Sequence, residues 1–158
     1  MAKKIVYPFL PKKPSEISEG DFYFIPLSNG RFACGRILLI ERTSSGRKTK
    51  SLLVGLHDWS GNEHPTAACI HECKIVEQGV MHINSIDVVG GKVLGNKPLE
   101  EDKLKPNLQV EAGYLIDGFE SVEQLPPEDY KKYSSRSSYG LDFIRLLAED
   151  HFVSNAES

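Results

Sequence analysis

Two runs of aromatic and β-branched residues, 22–27 and 32–41, stand on either side of Ser28-Asn29-Gly30. This pattern commits the chain to a β-hairpin. Pro26 decides the register. A two-residue Asn29-Gly30 turn would set Pro26 against Ala33 at a hydrogen-bonded position, where proline has no N–H to give. A three-residue loop with Gly30 in the left-handed region moves Pro26 opposite Phe32, where no such bond is needed. Tyr23 then lies opposite Gly35, which leaves space for its ring. Both faces of the hairpin are apolar. It is therefore expected in a covered position, within a strongly curved or barrel-like antiparallel sheet.

Further along, 50–57 reads as a third strand and 58–65 as a loop. Residues 66–78 are ambiguous; as a short helix they would carry Cys69, Cys73 and Val76 on one stripe and end at Gly79. Strands are expected at 80–83, at 86–94 with a bend at Gly90-Gly91, and at 114–119. A charged loop fills 98–106. The capping-box form of Ser121-Val122-Glu123-Gln124 suggests a helical turn. Residues 134–138 read as a flexible serine-rich link. An amphipathic helix closes the chain over 141–153, with Leu141, Phe143, Ile144 and Leu147 inward. The fold class is thus α+β, an antiparallel sheet with a C-terminal helix. Residues 1–18, rich in Lys and Pro, form an arm, 19–153 a single domain and 154–158 a tail.

At 158 residues, 40% apolar and 26% charged, the chain has the composition of one globular domain. No apolar run is long enough to span a bilayer. The N-terminus starts basic, but its apolar stretch ends at a proline, so a signal peptide is not expected. A cytoplasmic, reducing setting follows, with Cys34, Cys69 and Cys73 as free thiols. The net charge of −3 gives no footprint for nucleic acid. Acidic residues gather toward the C-terminal half, from Glu100 to Asp150. Charge runs of this kind usually form a solvated face; as a local patch they would also suit a basic partner.

Motifs for catalysis are weak. His57, His64, Cys69, His71 and Cys73 lie close in sequence, but their spacing is loose for zinc, so no metal is expected. His57 and Asp58 are neighbours on a strand and point to opposite faces, which prevents one from orienting the other. No nucleophile elbow is present, and Gly90-Gly91-Lys92-Val93-Leu94-Gly95 lacks the ending of a phosphate loop. No cofactor is expected. Trp59 is the single tryptophan, and in a loop it serves as a lid on the core or as a binding anchor. As an anchor it would have Asp58 and Glu63 beside it, and these three are the candidate partner-contact residues.

The segment Glu19-Gly20-Asp21-Phe22-Tyr23-Phe24-Ile25-Pro26-Leu27-Ser28-Asn29-Gly30-Arg31-Phe32-Ala33-Cys34-Gly35-Arg36-Ile37-Leu38 resembles the opening signature of the immunity protein 26 family of bacterial polymorphic toxin systems. That signature has a Gly-Asp, an Ile-Pro-Leu strand, a turn ending in Gly, and a returning strand with Gly-Arg and an aliphatic residue. Lys92-Val93-Leu94-Gly95-Asn96-Lys97-Pro98-Leu99, with Pro106 beyond, looks like a later strand of the same family. A tryptophan common just before that strand is absent here. The resemblance implies a cytoplasmic α+β protein that protects its cell by neutralising a cognate toxin, a nuclease among the types an acidic surface suits. It carries over no catalytic residue. The opening also resembles MazF-like ribonuclease toxins, in which case Arg36 would face RNA phosphate with Thr43 or Ser44 assisting. The acidic charge argues against that alternative. A β-barrel adaptor without a toxin partner is the third reading.

Overall fold

The computed structural model describes residues 5–154. Its centre is a meander of β1 (Asp21–Pro26), β2 (Phe32–Arg42) and β3 (Lys48–Gly61). The hairpin forms as Pro26 requires. Pro26 pairs with Phe32 and Tyr23 with Gly35. The Leu27 amide donates to the Arg31 carbonyl at 2.8 Å and closes a three-residue loop. Gly30 has φ +81°. A Cβ at Gly35 would run into the Tyr23 ring, so only glycine lets that ring lie flat on the strand.

β4 (Ile75–His82), the single helical turn α1 (Ser85–Val88) and β5 (Val93–Asn96) complete a five-stranded antiparallel sheet in the order β4-β3-β2-β1-β5. The barrel-like closure expected from the sequence is not formed. Each edge carries a bridge to another short segment instead. The 137–139 stretch bonds to Val80 of β4, and Phe9 exchanges main-chain bonds with Val93 of β5 at 3.0 and 2.9 Å.

A second, four-stranded sheet contains β6 (Gln109–Glu111), β7 (Tyr114–Asp117), β8 (Glu120–Gln124) and β9 (Ser134–Ser135), in the order β8-β7-β6-β9. Gln78 ties the two sheets together, accepting from the Asn107 amide at 2.8 Å and donating to Gln109 Oε1 at 3.0 Å. α2 (Phe143–Glu149) and a π-helical turn over Asp150–Ser154 end the described chain. The main core joins Tyr23, Ile25, Ile37 and Leu56 to Ile144 and Ala148 of α2. A smaller cluster of Phe22, Cys34 and Ile70, with Trp59 and Cys73 against it, is separate from that core.

Several local expectations are corrected. β3 runs on through Asp58, Trp59 and Ser60, because Phe32 and Ala33 pair with Gly61 and Ser60. Residues 66–74 form turns rather than a helix, and the next segment is already strand by Ile75. Residues 86–94 are not one bent strand; Gly90, at φ +84°, turns the chain between α1 and β5. Ser121–Gln124 pairs with β7 as part of β8, which overrides its capping-box form. Ser134 and Ser135 pair with β6, so this stretch is not a free link. The closing helix starts only at Phe143, which leaves Leu141 64% and Phe143 40% exposed. Ahead of β1, Ile17 is fully buried in the core. Residues 1–4 of the expected arm and 155–158 of the expected tail lie outside the described residues.

Candidate functional site

On β2 the side chains alternate. Ile37 enters the main core, and Cys34 enters the small cluster. Arg36 lies between them in sequence and is fully buried. Its guanidinium donates from Nε to the Gly20 carbonyl at 2.9 Å, from Nη2 to the Lys97 carbonyl at 2.5 Å, and from Nη1 to Asp102 Oδ2 at 2.8 Å. The other Asp102 oxygen accepts from Lys97 Nζ at 2.7 Å and from the Glu72 amide at 2.8 Å. Lys97 Nζ also donates to the Ala67 carbonyl at 3.0 Å and meets His71 Nδ1 at 3.0 Å. His57, also fully buried, sits 3.3 Å from Arg36 Nη1 and 3.0 Å from the Cys73 carbonyl.

The electrostatics follow from these contacts. Burial alone would push the Asp102 carboxyl up, but the bonds from Lys97, the Glu72 amide and Arg36 hold it down at about 2. Burial, with the Arg36 charge beside it, lowers His57 to about 4, so the imidazole is neutral near pH 7. Two buried cations thus face one buried carboxylate, and backbone carbonyls with the ring nitrogens of His57 and His71 meet the remaining donors. The network fastens the start of β1, β2, β3, the 66–73 turns and the 97–102 segment to one another. Its groups are engaged with each other, and a depression of about 410 Å³ opens beside them, lined by Glu72, Asp102 and Lys103.

Arg36 therefore does not face solvent, which removes the phosphate contact of the ribonuclease reading. The His and Cys residues weighed as metal ligands also part company. His64 stacks on Phe24 at 4.0 Å between centroids, Cys69 Sγ bonds within its own turn to Thr66, and Cys73 Sγ reaches the Asp58 carbonyl. Among the described residues no three His, Cys, Asp or Glu side chains are arranged to hold an ion.

The three residues singled out for partner contact are divided. Trp59 is half-buried against the small cluster, over Gly61, whose absent side chain leaves space for the indole. Trp59 and the exposed Glu63 line one surface depression of about 420 Å³, with His64 and Cys69 on its wall. Arg31 braces the rim through Asn62 Oδ1 at 2.8 Å and the Ser60 carbonyl at 3.1 Å. Asp58 is turned elsewhere, toward His151 of the C-terminal turn at 3.2 Å and Lys74 at 3.9 Å.

A family model described as immunity protein 26 matches residues 18–112. The chain belongs to the immunity protein 26 family. No curated protein and no solved structure matches it. The immunity protein 26 region contains the whole five-stranded sheet, every member of the Arg36–Asp102 network, and Trp59 with Glu63. It ends just after β6, so β7, β8 and α2 lie beyond it. Within the immunity protein 26 signature, Gly35 and Arg36 have clear physical tasks: one receives the Tyr23 ring and the other anchors the network. Asp102 carries no local signal of its place in the network, since a carboxylate in a charged loop looks like any solvated acid, and nothing in the spacing of His57 and Lys97 links them to it. No helix among the described residues is long and apolar enough to cross a membrane.

Proposed function

We propose that this chain is an immunity protein that binds a cognate toxin domain one to one and blocks it, without catalysis of its own. The observation that carries this reading is the family match over residues 18–112. The inward engagement of Arg36, His57 and Asp102 supports it, because the side chains best suited to acid–base or phosphate chemistry serve the frame. In this reading 19–153 acts as one binding domain, with the 1–18 arm ahead and the 154–158 tail behind. It works in the cytoplasm of the producing cell against a basic toxin, of which a nuclease is one type. The depression between Trp59 and Glu63 is a contact surface, with an aromatic wall and a charged rim suited to an anchor from the toxin.

Coexpression tests this. Cells making the product of the neighbouring toxin gene should survive only when this chain is also made. Trp59→Ala and Glu63→Lys should both weaken protection while circular dichroism stays unchanged. Unimpaired protection by both variants would remove the depression from the account. Death of the cells despite abundant, folded wild-type protein would remove the immunity role.

A further inference from the structure

All five residues of β8 are open to solvent. β7 pairs with one of its sides, and among the described residues nothing pairs with the other. Such an edge presents unpaired main-chain N–H and C=O groups, a template onto which another strand can add. In the five-stranded sheet, by contrast, another segment bridges each edge strand, at Val80 of β4 and at Val93 of β5.

Charge selects which strands this edge admits. Residues 111–129 contain six acidic side chains, Glu111, Asp117, Glu120, Glu123, Glu128 and Asp129, and no Lys or Arg. The segment carries −6 in a chain whose net charge is −3. Asp129 is paired with Lys132 at 2.8 Å; the other five form no ion pair among the described residues. Two copies of this chain brought edge to edge would oppose Glu120 and Glu123 with like charge, which guards the edge against self-association. A basic strand would meet opposite charge at the same positions. Val122 sits in a bulge, out of register with β7 and 52% exposed, and offers an apolar point between the two glutamates.

We infer that β8 is the docking edge for a basic extended segment of the toxin, which adds to this sheet as a further strand with its Lys or Arg side chains beside Glu120 and Glu123. This rests on the immunity reading. The edge lies beyond residues 18–112, in the part of the chain outside the family match, as suits a surface matched to one partner.

Hydrogen exchange on the purified chain, alone and with the inactivated toxin domain from the neighbouring gene, provides the test. The amides of 120–124 should exchange roughly tenfold or more slowly in the complex, as paired strand amides do. The double variant Glu120→Lys, Glu123→Lys should fold as the wild type and bind roughly tenfold or more weakly. A complex that leaves 120–124 exchanging at unchanged rates, or that tolerates the charge reversal, overturns this inference and leaves the immunity reading standing. If no complex forms at all, both fall.

Discussion

In the five-stranded sheet the charges that matter are turned inward and matched; in the four-stranded sheet they are turned outward and, for the most part, left unmatched. Arg36 and Asp102 are fully covered side chains at 2.8 Å, with Lys97 closing on the second carboxylate oxygen. Glu120 and Glu123 lie on an open strand with no ion pair among the described residues. A buried network of this kind gives the frame one arrangement, because any displaced member leaves an unpaired charge in the interior. Exposed glutamates cost almost nothing to keep and stay available to a partner. The difference sets a buried, matched network in the first region against open, unmatched acid in the second.

The largest expected effect comes from breaking the frame. Asp102→Ala strands Arg36 and Lys97 without their carboxylate and should cost about 3–5 kcal/mol in denaturant unfolding. A loss below 1 kcal/mol would mean that the network is not a structural fastening.

Acid should loosen the same region next. Unfolded, His57 titrates near its ordinary 6.5; folded, it is held at about 4. Between those values the unfolded chain binds a proton that the native state refuses. The stability from this group is therefore complete above about pH 6.5 and is lost as pH falls toward 4, by on the order of 3 kcal/mol. Asp102 adds its own loss below that, as pH falls from about 4 to about 2. A melting temperature unchanged from pH 7 to pH 4.5 would contradict the assignment of His57 as a buried neutral group.

A smaller effect belongs to the hairpin turn. Gly30 has φ +81° and nothing within 4 Å of where a side chain would start. Gly30→Ala should thus cost about 1 kcal/mol, from backbone conformation alone. The smallest effect lies in the second sheet: replacing Glu120 and Glu123 by Gln should move stability by less than about 0.5 kcal/mol. Equal losses for Asp102→Ala and for this pair would erase the distinction between the two regions.

What could be read in the sequence follows the same division. The hairpin was legible because Pro26, Gly30 and Gly35 each act on residues a few positions away. The family was legible from the same stretch. The network was not, because Arg36 and Asp102 are 66 positions apart and no periodicity links them. Glu100 and Glu101 are exposed while Asp102 beside them is buried, a distinction that only the fold makes. The capping-box form of Ser121–Gln124 points to a helical turn, but it is a local signal, and pairing with β7 outweighs it. Trp59 and Asp58, adjacent in sequence, were expected to act together. Strand geometry sends one to the small cluster and the other to His151.

The most direct measurement is a calorimetric titration of the purified chain with the inactivated product of the adjacent open reading frame, tested as the proposed toxin partner. The account predicts saturation at one to one, with affinity that weakens as salt is raised because acidic and basic surfaces meet. An absence of binding by a correctly folded pair of proteins would contradict it.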